Sequence, residues 1–445
     1  MRGEKEIRTI LEQVLSLSKA DQTEVIFTGR DSHLTRFANS YIHQNVSESN
    51  AELRVRVIVG KRVGVASTND LSGDGLRKVV ESAQMVVRFQ PERLDFQSLP
   101  GPSTVSSVVS FSERTASFSP KERACTVGLI CKRAQSEGLI ASGAFTTARR
   151  EVAIANSLGL FAYYPSTLAD LNTVIMGEDS SGYASRTAWD VGKIDADQAG
   201  REAMDKALSS RKPVGIEPGT YTVILEEYAI TEIVGYMSYL GFSALAVQEG
   251  RSFMAGKLGQ QIVDARISIT DDGLDATGLP MPFDFEGVPK QCVEIVKNGI
   301  ANAVVYDSYT AQREGKKSTG HSLPAPNTFG PFASNLFMSV GSSSKEEMLK
   351  STQKGLWVTR FHYVRPVHPL KVILTGMTRD GTFLIENGQL TRAVKNLRFT
   401  QSMLDALSNV EMIGSTAQVA SDFMGAICVP ALKVRDFHFT GVTEF

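Results

Sequence analysis

The chain is poor in the residues that usually announce a metal or redox centre. Its 445 residues include four cysteines, six histidines and two tryptophans. Cys125, Cys131, Cys292 and Cys428 form no Cys-x-x-Cys pair, which excludes a zinc ribbon and a dithiol redox motif; each has apolar neighbours and reads as a buried thiol. His33 and His43 fall in strand-like sequence, and His362 and His368 flank Arg365-Pro366; neither spacing makes a recognised ligand set. No run approaches the roughly 18 apolar residues of a membrane span, and the opening Met-Arg-Gly-Glu-Lys-Glu has no apolar leader core. Charge of one sign is missing too. With 47 basic and 48 acidic residues the net charge is −1, without the phosphate-neutralising surplus or basic stripe of a nucleic-acid binder. The expectations are a reducing cytoplasmic location, no membrane and no nucleic acid. Gly-x-Ser-x-Gly is also absent, which removes the usual serine nucleophile elbow.

What is present is a long alternation of helix and strand signals, enough for two domains or more. A helix is expected from about Glu6 to Ser18, then strands at 24–28, 34–38, 41–44, 51–59 and 62–66. Leu53-Arg54-Val55-Arg56-Val57 alternates apolar and polar, as a half-exposed antiparallel strand does. Ser72 opens a second helix, to about Arg88, and the Pro- and Ser-rich stretch 91–117 reads as a crossing or linker. Ser119-Pro120-Lys121-Glu122 is a capping box with proline in the first turn, opening a helix to about Gln135. Strands follow at 143–147, 151–155, 160–164, 171–177 and 182–189, and Asp195 with Gln198 caps a last helix. The sequence Ala38-Asn39-Ser40 … Gly64-Val65-Ala66-Ser67 returns as Ala155-Asn156-Ser157 … Gly182-Tyr183-Ala184-Ser185. An internal duplication of a helix–sheet–helix unit and chance matching of short motifs both account for it.

The stretch that carries most meaning runs from Pro218 to Val247. Tyr221–Leu225 reads as a strand and 226–240 as a helix burying Ile230, Ile233, Val234, Met237 and Leu240. Inside it, Thr231-Glu232-Ile233-Val234-Gly235-Tyr236 has the form of a metallopeptidase helix, H-E-x-x-G-H, with both histidines replaced. A threonine hydroxyl is a poor zinc ligand, and a tyrosine would have to lose a proton with a pKa of about 10. Glu232 alone remains, and a general base without metal-bound water has no nucleophile to activate. Positions five apart lie roughly 140° apart on a regular helix; only a π-bulge, which Gly235 could tolerate, brings them together. An ordinary amphipathic core helix is the plainer reading of these six residues.

The surrounding motifs extend the likeness. They are Leu34–Asn39 with Ile42-His43-Gln44, Gly64–Asn69, Ser252-Phe253 with Gly256-Lys257 and Gly259, the acidic turns Asp271-Asp272-Gly273 and Asp284-Phe285-Glu286-Gly287, Thr319-Gly320-His321, and Leu374–Phe383 with Ile385–Gly388. Together they resemble the TldD/TldE (PmbA) family, on the TldE-like branch that lacks the zinc ligands. The resemblance implies an α+β fold. A domain over 1–216 would hold antiparallel sheets with helices, and one over 217–445 would be mostly antiparallel, barrel-like β with a few helices. It implies a subunit of a cytoplasmic metalloprotease complex that degrades or processes unfolded peptides, itself non-catalytic. No cofactor is expected here, zinc belonging to a TldD-type partner; the partner is such a subunit or a second copy of this chain, and the substrate an extended peptide. The degenerate metal positions are Thr231 and Tyr236. The cysteine ligand of the active branch has no counterpart in Ser421–Gly425, and Cys428 lies in an apolar run. Asp271, Asp272, Asp284, Glu286, His321 and Arg379 are candidates for a substrate or partner cleft, the acidic ones reading equally as turn formers or a hard-cation site. An independent hydrolase with a non-zinc site, or a binding protein acting on a toxin or gyrase, are the alternatives.

Overall fold

The computed structural model describes residues 1–422 and 425–443. The first six strands are β1 (Gln22–Ala38), β2 (Tyr41–Val59), β3 (Arg62–Thr68), β4 (Ile140–Asn156), β5 (Phe161–Met176) and β6 (Ser181–Ala188). They form one antiparallel sheet in the order β3-β2-β1-β4-β5-β6. The helices α1 (Glu4–Leu17), α2 (Gly73–Arg88), the single turn α3 (Glu113–Ala116), α4 (Pro120–Ser136) and α5 (Ala196–Ser209) complete this part. α1 and α2 bury Ile7, Leu11, Leu76 and Val80 with Val25, Phe27 and Val55; α4 and α5 bury Val127, Ile130, Ala199 and Ala203 with Phe145 and Leu171.

The duplication is visible in this arrangement. Each half is a helix, three antiparallel strands and a helix, and the halves meet along β1 and β4. The recurring glycines do the same work in both. A Cβ on Gly64 of β3 would lie 2.3 Å from the Ala83 carbonyl and 2.6 Å from the Val87 nitrogen of α2. One on Gly182 of β6 would lie 2.0 Å from the Ala203 carbonyl and 2.6 Å from the Ala207 nitrogen of α5. Both strands thus run against helix backbone at a distance no side chain permits.

Two expectations need correction. The strands read separately at 24–28 and 34–38, at 41–44 and 51–59, at 143–147 and 151–155, and at 160–164 and 171–177 are four continuous strands, β1, β2, β4 and β5. Their polar middles look like turns, but cross-strand bonds keep them extended: Ser49 donates to Asp31 at 2.5 Å, Arg149 to Asp31 at 2.6 Å, and Ser47 bonds His33 at 2.8 Å. The four thiols are not all buried either. Cys125 and Cys292 are exposed, because apolar sequence neighbours do not fix which face of an element a residue occupies.

The rest of the chain contributes β7 (Gly219–Leu225), α6 (Glu227–Gly241), β8 (Ile269–Asp271), β9 (Val293–Lys297), β10 (Ile300–Ala301), β11 (Asn335–Met338), β12 (Lys354–His368), β13 (Ile373–Glu386), β14 (Gln389–Ala393), β15 (Leu397–Ser402), β16 (Val410–Ser421) and β17 (Ala426–Val442). β7, β12, β13, β15 and β17 follow one another, and β17 pairs back onto β7, closing a barrel-like ring. Most pairs are antiparallel; β7–β12 and β11–β17 are parallel. The expected Asn-Gly turn joins β13 to β14, with Asn387 at φ 51° and Gly388 at φ 74°. α6 packs its apolar face into the large core with Val223, Leu356, Phe361 and Val429.

Candidate functional site

α6 follows β7 directly, and its start is held by charge. Buried Glu226 accepts from Lys206 of α5 at 2.6 Å and from the Trp357 indole, and Glu227 accepts from Lys345 at 2.8 Å. Its far end is fixed by the serine–phenylalanine motif. Ser252 donates to the Gly241 carbonyl at 2.7 Å, and Phe253 lies so close that a Cβ on Gly241 would fall 2.1 Å from its ring. That motif therefore acts here as a clamp on α6.

Between these anchors the helix is regular through Gly235, with no π-bulge. Thr231, Glu232, Gly235, Tyr236 and Tyr239 form one wall of a cleft of about 760 Å³. Leu323, Phe329 and Phe332 supply an apolar wall, with the Tyr239 and Phe329 rings stacked at 5.3 Å. Arg365, Pro366, Ser421 and Asp422 close the rim. Phe423 and Met424, within the segment compared with the active branch's cysteine ligand, lie outside the described residues.

The two hydroxyls at the histidine positions are occupied. Thr231 donates to the Glu227 carbonyl at 2.9 Å, the i−4 bond typical of threonine in a helix. Tyr236 donates to the Val364 carbonyl at 2.6 Å. Neither is basic at neutral pH. Among the described residues, no three His, Cys, Asp or Glu side chains gather where they could hold a metal ion. The residues of this helix do not fit zinc. Glu232 keeps a surface open to the cleft, yet the protein packed around it and the Asp422 carboxylate raise its pKa, against the pull of Arg360 and Arg365. The cleft thus combines an acid of raised proton affinity, an arginine and an aromatic wall, a mixture that suits a peptide backbone with an apolar side chain.

The other sequence candidates lie elsewhere and do not assemble into one cleft. Asp271 is fully buried; its carboxylate bonds His321 Nε2 at 2.8 Å and the Asn335 amide at 2.9 Å, with Lys290 Nζ at 3.6 Å. Burial alone would raise Asp271, but Lys290 and His321 hold it at about 2. Burial and Lys290 lower His321, so its imidazole is neutral, with Nδ1 toward Thr319 at 2.9 Å. Asp272 caps its own turn, accepting from the Leu274 amide at 2.9 Å. Asp284 is buried and accepts three backbone N–H bonds, from Glu286, Val288 and Ser322, at 2.8–2.9 Å. Glu286 faces the first sheet, 3.3 Å from Arg56, which also binds Glu24 at 2.5 Å. Arg379 is on β13, 3.9 Å from Asp380. Sequence reasoning missed the cleft's far side: Phe329 and Phe332 come from one loop and Arg365 from β12. The aromatic pair in Phe329-Gly330-Pro331-Phe332 was the available signal.

Comparison with known proteins identifies the family and the fold. Three family models match in series: "PmbA/TldA metallopeptidase domain 1" over 23–85, "PmbA/TldA metallopeptidase central domain" over 112–211, and "PmbA/TldA metallopeptidase C-terminal domain" over 218–441. The chain is 24% identical to the metalloprotease PmbA of Escherichia coli O157:H7 over 97% of its own length and 95% of that protein. It is 23% identical to a metalloprotease TldD homolog of Haemophilus influenzae, covering 82% of this chain and 79% of that one. Its fold superposes on the crystal structure of TldE from Thermococcus kodakarensis with a TM-score of 0.90, at 20% identity and over 98% and 100% of the two chains.

Proposed function

The chain belongs to the PmbA/TldA metallopeptidase family, and from that premise we propose that it is a metal-free, non-catalytic subunit of a cytoplasmic peptide-degrading complex. The observation that carries this reading is the state of Thr231 and Tyr236. Each spends its proton on a backbone carbonyl, at the two positions where a zinc helix needs basic nitrogen. The remaining acid, Glu232, can hold a proton and accept hydrogen bonds from a peptide, but has no metal-bound water to deprotonate. The partner is a family member with an intact H-E-x-x-x-H helix, or a second copy of this chain. An unfolded peptide lies extended in the aromatic cleft, held by main-chain hydrogen bonds and an apolar side-chain pocket.

Mixing the purified chain with a family member that carries the intact zinc helix tests this. The expected result is chelator-sensitive hydrolysis of unfolded peptide by the mixture, with none from this chain alone. Equal hydrolysis by this chain alone would remove the reading.

A further inference from the structure

The helices α1, α2, α4 and α5 cover one face of the first sheet. On the opposite face Val105 and Val108 pack with Ile26, Ile154 and Tyr164, and so do Phe283 and Phe285 of loop 276–286 from the second half. Tyr164 donates to the Pro280 carbonyl at 2.7 Å and Trp189 to the Ala276 carbonyl at 2.8 Å, pinning that loop. Beside it a cavity of about 460 Å³ remains between sheet and loop, within the range of roughly 300–1,000 Å³ typical of ligand sites. The strand register puts Arg30 of β1 directly opposite Arg150 of β4, and Arg150 opposite Ser166 of β5. All three line the cavity.

Arg150 is an anomaly in this chain. Its Nε is buried and has no hydrogen-bond partner. No carboxylate within ion-pair distance of its guanidinium is found among the described residues, and its cross-strand neighbour is another cation. Arg123, a fully buried arginine without an acid, shows how such a group is normally satisfied: it donates to Thr35, Thr147 and the Phe118 carbonyl at 2.6–3.2 Å. Burial and the nearby Arg30 push Arg150 down to about 10, so it still carries its charge at neutral pH. Three acids share the cavity wall, Glu48, Glu52 and Glu151, but Glu52 is taken by Arg54 at 2.6 Å and Glu151 accepts from the Arg2 and Gly3 amides and the Tyr163 hydroxyl at 2.8 Å. A charged guanidinium whose buried Nε goes unbonded costs stability that an incoming anion would restore, and its planar fork matches a carboxylate.

Shared lining residues also connect the cavity to the cleft of α6. The cavity shares Met281 and Phe285 with a small crevice, and that crevice shares Leu323 and Phe332 with the cleft. We propose that Arg150, with Arg30 beside it, is a carboxylate subsite that anchors one end or one acidic side chain of an extended peptide reaching from the α6 cleft. This rests on the peptide reading above.

Three dansyl-labelled octapeptides, otherwise uncharged, separate the sources of the carboxylate: one with a free C-terminus and no internal acid, its C-terminal amide, and the amide with one central glutamate. Binding to the full chain is read by fluorescence. The free acid or the glutamate peptide should bind about ten- to hundredfold tighter than the neutral amide, the size of one charge-assisted pair. Arg150→Met should abolish that difference and leave the amide's affinity unchanged. Arg30→Met, at an exposed position, should reduce the preference, and it decides the matter if the Arg150→Met chain does not fold by circular dichroism. Equal binding of all three peptides, or a preference that survives substitution in a folded chain, overturns the subsite and leaves the peptide reading standing. No binding of any peptide overturns both.

Discussion

Replacing Arg56 by methionine should cut into the joint between the two halves of the chain. Arg56 lies between Glu24 of the first sheet and Glu286 of the second half, at 2.5 and 3.3 Å, with side-chain exposures of 12%, 1% and 9% for Arg56, Glu24 and Glu286. Methionine fills much of the same volume, so the loss is chiefly electrostatic. Removing one partner from a buried ion pair costs about 3–5 kcal/mol, because the other charge is left uncompensated. For cooperative unfolding of a chain this long, with about 2.1 cal/mol/K per residue, that is a fall of about 3–5 °C in melting temperature. The pH dependence gives a sharper check. Burial, opposed by Arg56, already pushes Glu24 up to about 7, so the folded state holds its proton more tightly than the unfolded one. Stability from such a group is fully present below the unfolded pKa and is lost as pH rises through the folded one. Without the guanidinium Glu24 moves further up. The deficit of the variant should therefore be small near pH 5 and full at pH 8. Thermal melts at both values measure it, and adding Glu24→Gln and Glu286→Gln should recover most of the loss at pH 8. A pH-independent deficit, or none, would show that the joint is not held by this charge cluster.

Other consequences follow from single contacts. Gly64→Ala and Gly182→Ala should each destabilise by about 1–3 kcal/mol or more through overpacking against helix backbone, whereas Gly128→Ala in α4, where an added Cβ meets nothing within 4 Å, should stabilise by about 0.5–1 kcal/mol; chemical denaturation compares them. Tyr236→Phe removes one hydroxyl bond to the Val364 carbonyl and should cost about 0.5–1.5 kcal/mol, with bound metal unchanged by elemental analysis. Buried His321 is held neutral below its ordinary value, so wild-type stability should fall as pH drops below about 6.5. In His321→Gln, urea melts should show that part of the acid limb flattened.

Much of this architecture could be read before any coordinates. The 3.6-residue apolar period of α6, the Ser119 capping box and the Asn387-Gly388 turn are local signals, fixed by the residues that bear them. The duplication was legible through two glycines because close helix–strand contact tolerates nothing larger. The continuity of β1, β2, β4 and β5 was hidden, since their polar middles are kept extended by partners more than ten residues away. The cleft was half visible. Thr231, Glu232 and Tyr236 sit on one helix, but the opposing Phe329, Phe332 and Arg365 meet them only in space. The acidic turns were legible as turns; that Asp271 and His321 are buried against Lys290 depended on chain segments up to fifty residues apart.

The central claim is that Thr231 and Tyr236 leave α6 unable to hold zinc. Its most direct test is the zinc content of the isolated full chain after incubation with excess metal and gel filtration, measured for wild type and Glu232→Gln. Far less than one zinc per chain, the same in both, is the expected result. One tightly held zinc per wild-type chain, lost on Glu232→Gln, would contradict it.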